Sequence, residues 1–196
     1  KKIFGPDIAH LVEGVTKISR FQESSPETRQ AETIRKIIIA MTDDLRVIFI
    51  KLADRIHNLK TLKYLSEEKQ KQVALETLEI YAPIANRLGM GRIKAELEDL
   101  SFRFVDPENY FKVSELLEPR RKAAEVELKK TSRSILKKMR DNGIPAEIFF
   151  RIKRLYSIFN KMNRQSIDFD QVYDLMALRL ITNSVKNCYA TLGIIH

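Results

Sequence analysis

The sequence predicts a mainly helical chain that ends in the first β-α-β-α elements of an α/β domain. Over the first three-quarters, apolar residues recur at helical spacing between recognisable helix starts and stops. After the turn-rich Asn142-Gly143-Ile144-Pro145, the pattern changes to short runs of β-branched and aromatic residues. The 196 residues, 44% hydrophobic, suffice for a sizeable core, and the single cysteine, Cys188, excludes an internal disulfide and has no partner at zinc-ligand spacing.

The elements follow in order. Ser25-Pro26-Glu27 opens a helix to about Thr42, with serine as cap, proline at the first helical position and glutamate complementing the helix dipole. A second begins near Asp44, carries Leu45, Ile48, Leu52, Ile56 and Leu59 on one face, and ends near Tyr64. Ser66-Glu67-Glu68 opens a third, kinked at Pro83 and stopped before Gly89 and Gly91. Helices follow from about Arg92 to Phe104, from Asp106-Pro107 to Leu117, and from Pro119 to Asn142. Glu147 to Ile152 reads as a strand, Leu155 to about Arg164 as a short helix, Leu175 to Thr182 as a buried strand, and a last helix starts near Ser184. Two strands are too few for an independently stable sheet with covered faces, so the domain is expected to continue beyond this segment. No internal repeat or low-complexity tract is present, which sets solenoids and coiled coils aside.

No apolar run reaches the roughly 18 residues that cross a bilayer, and Lys1-Lys2-Ile3-Phe4-Gly5-Pro6 lacks the apolar stretch of a signal peptide. A cytoplasmic, reducing setting without membrane contact is expected. The net charge of +9 points to a polyanionic partner: nucleotide phosphates, RNA or an acidic protein. The densest basic clusters, Arg120-Arg121-Lys122 and Lys129-Lys130 to Lys137-Lys138, read as a solvated helix face or an RNA-binding one.

Lys51-Leu52-Ala53-Asp54-Arg55-Ile56-His57-Asn58-Leu59-Lys60-Thr61-Leu62 is the most informative stretch of the helical part. At about 100° per residue, Asp54, Asn58 and Thr61 share one narrow sector of a helix, opposite Leu52. Val47 and Ile50 flank Asp54, with Phe49 and Ala53 nearby, so the helix is apolar nearly all round and is expected to be buried. A buried carboxylate needs a partner, either a structural ion pair, as with a neighbouring arginine, or a metal or catalytic role. His57 reads as a packing or hydrogen-bonding histidine.

That stretch resembles the KLADRxHNxxTL signature of Rel/SpoT hydrolase domains. Gly14-Val15-Thr16-Lys17, Gln30 to Lys36 and Glu79-Ile80-Tyr81-Ala82-Pro83-Ile84-Ala85-Asn86-Arg87-Leu88-Gly89 support the same resemblance. It implies an all-helical HD-type domain, incomplete here, that uses manganese to remove the 3′ pyrophosphate of the guanosine alarmones (p)ppGpp. Asp54 would then be a metal ligand and catalytic, with Asn58 and Thr61 contacting the nucleotide. A hard divalent cation suits a carboxylate oxygen, and it lowers the pKa of its water. The family's other ligands, a histidine and a His-Asp pair followed by acidic catalytic residues, precede the Phe4-Gly5-Pro6-Asp7 region and do not occur here; His10 is not followed by aspartate. This segment alone is therefore expected not to hydrolyse (p)ppGpp.

In the last quarter, Arg151, Lys153 and Arg154 cluster at a strand end with Lys161 on the next helix, as a phosphate site or as a solvated junction. Phe150 to Met162 resembles the GRxKHxYSIxxKM signature of Rel/SpoT synthetase domains, with Phe150 in place of the glycine and Arg154 in place of the histidine. Phe169 to Arg179 matches FDxxYDxxAxR. The resemblance implies a nucleotidyltransferase-like domain that binds ATP through Arg151 and Lys153, with Lys161 and Arg179 as further nucleotide contacts. Asp174 would hold magnesium in a catalytic role; a strand-end aspartate can also cap a turn, and Arg179 can also serve as a buried ion-pair partner. The implied reaction moves the β,γ-pyrophosphate of ATP to the 3′-hydroxyl of GDP or GTP in the stringent response. A second acidic ligand and a guanine-stacking tyrosine are expected beyond His196, so this activity too is expected to be absent from the segment alone. The implied organisation is hydrolase over 1–118, a helical linker over 119–143 and synthetase over 144–196, with ribosome contact through other regions. The alternatives are a basic helical module that binds RNA or the ribosome, and a degenerate regulator that binds nucleotide without turnover.

Overall fold

The computed structural model describes residues 3–19 and 26–196, so the expected Ser25 cap lies outside the described residues. The chain divides into two compact units, Lys1–Pro107 and Glu108–His196.

The first unit is all helical: α1 (Gly5–Ser19), α2 (Pro26–Asp43), α3 (Arg46–Thr61), α4 (Glu67–Glu76), α5 (Ala82–Arg87) and α6 (Gly91–Val105). Ile18, Ile37, Ile48, Leu52, Tyr81 and Leu97 are fully buried in its core. The start of α3 is fixed by Asp44, whose Oδ1 accepts from the Arg46 backbone N–H at 2.9 Å while Oδ2 accepts from Arg46 Nη2 at 2.7 Å. Gly14 brings α1 close to α3, because a Cβ there would stand 2.8 Å from Val47 Cγ2.

The kink expected at Pro83 takes the form of a π turn, Thr77–Tyr81, between α4 and α5. Pro83 has no N–H to donate, and the widened turn lets the Ala82 amide reach Thr77 O, five residues back. Beyond α5 the chain turns at Gly89, whose φ of +73° suits glycine, and the Met90 amide closes onto Ala85 O at 2.9 Å.

The second unit contains α7 (Pro107–Asp141), β1 (Ala146–Ile152), α8 (Leu155–Gln165), β2 (Met176–Thr182) and α9 (Val185–Ile195). The two helices expected on either side of Leu117 are one, with Pro119 inside it. The proline deletes a single amide donor, and burial of Val113 and Leu117 before it and of Ser132 and Met139 after it keeps both halves helical. β1 and β2 pair antiparallel, from Ala146↔Thr182 to Ile152↔Met176. Val113, Leu117, Ile158, Phe169, Val172 and Leu175 form this unit's core. Ser184 caps α9, its Oγ accepting from the Asn187 amide at 3.1 Å. No helix among the described residues is long and apolar enough to cross a membrane.

Candidate functional site

In the second unit, the pairing of β1 and β2 gathers the expected phosphate-binding residues. The Lys153 amide donates to Leu175 O at 2.8 Å and extends the ladder one step past Ile152↔Met176. Next to that bond, Lys153 Nζ lies 2.6 Å from Asp174 Oδ2, and Lys161 Nζ, from α8, lies 2.7 Å from Oδ1. Each oxygen of one carboxylate thus carries an ammonium group. Lys153 first and Lys161 second hold the Asp174 carboxyl well below the usual carboxylate range. Asp174 remains 61% exposed, so the pair of ion pairs is open to solvent and to ligands.

The loop that presents Asp174 is anchored on both sides. Phe169, Val172 and Leu175 are buried, and Asp168 and Gln171 close a reciprocal capping box around the short 3₁₀ turn Phe169–Gln171. Arg120, from α7, pairs with Asp170 and lies 4.9 Å from the Phe169 ring centroid. Arg120 therefore serves this loop, although the basic run around it reads as solvated in the sequence. Arg151 and Arg179 lie on one face of the hairpin: Arg151 is opposite Ala177, and Arg179, opposite Phe149, is its diagonal neighbour, roughly 7–8 Å away by sheet geometry. Both are exposed and neither touches Asp174, so the buried-pair reading of Arg179 is not what the structure shows.

In the first unit, Asp54, Asn58 and Thr61 fall on one side of α3 as the helical spacing predicts, but that side is open. The burial expected all round α3 is not found: Phe49 and Ile50 are exposed, and the Asp54 side chain is 42% exposed. The reason is that α3 packs on α1, α2 and α6 chiefly through Ile48, Leu52 and Leu59, about 120–160° round from Asp54, while Val47, two turns before Asp54 on its own side, is covered near Gly14. Lys51, with its side chain only 10% exposed, reaches Asp54 Oδ2 with Nζ at 3.2 Å. Thr61 Oγ1 donates back to its own helix, to Asn58 O at 3.2 Å. His57 is exposed rather than packed, since it falls on the open side.

An arginine neighbouring Asp54 does form an ion pair, but with another acid. Arg55 points inward, pairs with Glu76 Oε2 at 2.7 Å and lies 4.1 Å from the Tyr81 ring centroid. Burial opposes the Arg55 charge, yet Tyr81 and Glu76 hold its pKa above the ordinary value, while burial raises that of Tyr81. The sequence gives the side of α3 on which Arg55 lies, about 100° from Asp54, but carries no local sign of Glu76, 21 positions on.

Among the described residues, no three His, Cys, Asp or Glu side chains stand together as a metal-binding group. Asp54 and Asp174 each bring one carboxylate, which does not make a metal centre by itself.

Two families match the chain: the HD domain over residues 1–91, and the region found in RelA / SpoT proteins over residues 150–196. A protein named GTP pyrophosphokinase from Myxococcus xanthus is 50% identical over the whole chain, which covers 26% of that relative. Both parts of the chain thus resemble Rel/SpoT proteins. Other Rel/SpoT relatives carry the second activity in their names. A guanosine-3′,5′-bis(diphosphate) 3′-pyrophosphohydrolase from Aquifex aeolicus is 47% identical, with 28% of its length covered. A probable one from Synechocystis is 46% identical, with 26% covered. The chain spans about a quarter of the length of the Rel/SpoT relatives it matches, and its HD-domain match is followed by a match to the RelA/SpoT region.

Proposed function

We propose that this chain is the central portion of an enzyme that makes and degrades (p)ppGpp, with part of a hydrolase in its first unit and the opening of a synthetase in its second. The observation that carries the reading is the cluster of Lys153, Lys161 and Asp174 beside the Arg151 and Arg179 face of the hairpin. Two lysines on one exposed carboxylate, with two exposed arginines on the neighbouring hairpin face, suit a nucleoside triphosphate, with the cations on its phosphates and the carboxylate available to the metal that accompanies them. In the bare cluster the two lysines hold Asp174 and keep a net positive charge. A bound triphosphate would draw Lys153 and Lys161 onto its oxygens and release Asp174 as one ligand of a magnesium ion.

The proposed synthetase reaction transfers the β,γ-pyrophosphate of ATP to the 3′-hydroxyl of GDP or GTP and leaves AMP. Positioning and charge neutralisation carry most of the catalysis in such a transfer, and the cations named here supply both. In the first unit, Asp54 would contribute one ligand to a manganese ion, while Asn58 and Thr61, on the same open side, contact the nucleotide whose 3′ pyrophosphate water displaces. Lys51 offsets the Asp54 charge until that cation binds. The chain's full set of partners would be ATP, GDP or GTP and (p)ppGpp in the cytoplasm, with ribosome contact made elsewhere in the whole protein.

The test uses the whole native protein with Asp54→Ala and Asp174→Ala, assayed for manganese-dependent ppGpp hydrolysis and ATP-dependent ppGpp synthesis. Each variant should lose one activity and keep the other. Retention of both activities by both variants would sink the site assignment.

A further inference from the structure

The C-terminal half of α7 has a surface that neither proposed reaction uses. From Arg120 to Asp141 the helix carries nine cations and three carboxylates, and the cations are sorted by face. Arg120 is committed to Asp170, and Arg121 lies 3.4 Å from Glu118. Lys122, Lys129, Arg133 and Arg140 are all exposed and make no ion pair among the described residues. Their spacing of seven, four and seven residues puts them within about 40° of one another around the helix, in a row roughly 27 Å long. Lys137 flanks the row on one side. The three carboxylates of this stretch fall outside the sector, and Glu125, the nearest by angle, faces Arg121 at 3.9 Å. Buried Ser132 and Met139 mark the packed face, about 80–100° round the helix from the middle of the row.

We infer that this row is a docking ridge for a nucleic-acid duplex, bound through its phosphates. Four unneutralised cations in line repel one another on a rigid helix, and a polyanion of regular spacing relieves that repulsion along its whole length. The stretch Arg120–Asp141 has no aromatic residue, so it lacks the stacking platform on which unpaired bases are held. A straight row of Lys and Arg with no aromatic residue fits a rigid charged rod better than a flexible single strand, and binding through phosphates predicts no sequence preference. The ridge shares no residue with the Asp54 and Asp174 sites, so it stands or falls independently of the catalytic reading.

The experiment compares the whole native protein with a variant carrying Lys122→Gln, Lys129→Gln, Arg133→Gln and Arg140→Gln, changes that preserve helix propensity at exposed positions. Fluorescence anisotropy would follow labelled 20-base-pair RNA and DNA duplexes, a single strand of the same length, and a polyglutamate peptide. The native protein should prefer the duplexes, with affinity falling roughly a hundredfold between 50 and 200 mM salt, as about four phosphate contacts require. The variant should bind duplex at least tenfold more weakly, with most of that salt dependence gone, while circular dichroism shows unchanged helix. Tighter binding to RNA than to DNA, or the reverse, would identify which duplex the ridge serves. A variant within threefold of the native protein, or equal binding of polyglutamate or single strand, overturns the inference.

Discussion

Lys153 Nζ stands 2.6 Å from Asp174 Oδ2, although the two residues are 21 positions apart, and the strand register delivers both. On the proposed reading, a triphosphate would draw the ammonium group away and leave the carboxylate to a metal. Lys161 completes the balance from α8. Replacing either lysine by methionine is expected to raise the Asp174 pKa toward the ordinary carboxylate range, as carboxyl NMR titration would show. The same variants should bind ATP about 10- to 100-fold more weakly by calorimetry on the whole native protein, the size of a lost hydrogen bond to a charged group.

Asp54 is exposed enough that its role and its contribution to the fold can be separated. Its ion pair with Lys51 is half open to water, so Asp54→Asn is expected to change unfolding free energy by about 1 kcal/mol or less in urea denaturation. Hydrolysis of ppGpp by the native protein should nevertheless fall at least a hundredfold. A matching loss of stability would assign Asp54 to the scaffold.

Arg55 gives the opposite expectation. Arg55→Met leaves the partly buried Glu76 without its counter-ion and should cost about 2–4 kcal/mol in urea denaturation. Adding Glu76→Leu removes the stranded charge, and the double variant should recover most of that loss.

The start of α3 should be sensitive to acid. The hydrogen bond to the Arg46 side chain, then that to its amide, lowers the Asp44 pKa below its unfolded value. Its contribution to stability is therefore full above the unfolded pKa near 4 and is lost as pH falls through the lower folded value. Asp44→Asn should lower Tm at pH 7, and the difference from the native protein should close as pH falls through the lowered folded pKa.

Gly14→Ala should destabilise the first unit by about 1–3 kcal/mol, because the new methyl group meets buried Val47 at 2.8 Å. Adding Val47→Ala should relieve the contact; thermal unfolding of the single and double variants checks this.

Local chemistry made much of this molecule legible from sequence. Capping and spacing predicted the helices, the turn at Asn142-Gly143 predicted the change to strands, and Asp54, Asn58 and Thr61 share a side of α3 because 3.6-residue periodicity requires it. Pro119 misled because a proline removes one bond whereas burial along α7 acts at every turn. The exposure of Asp54 was not legible, since an apolar residue such as Ile50 announces its preference for burial but not whether a neighbour arrives to cover it. The partners of Arg55 and Arg120, 21 and 50 positions away, depend on tertiary packing that no local window contains.

The register Ile152↔Met176 has an evolutionary consequence for the cluster at Asp174. Side chains alternate between the two faces of a strand, so a single-residue insertion in β1 or β2 would turn Lys153 away from Asp174 while leaving every motif residue present. Descendants of this chain can exchange side chains within β1 and β2 far more freely than they can change the length of either strand. Counting residues along each strand should therefore separate working copies from decayed ones even where every motif residue is present.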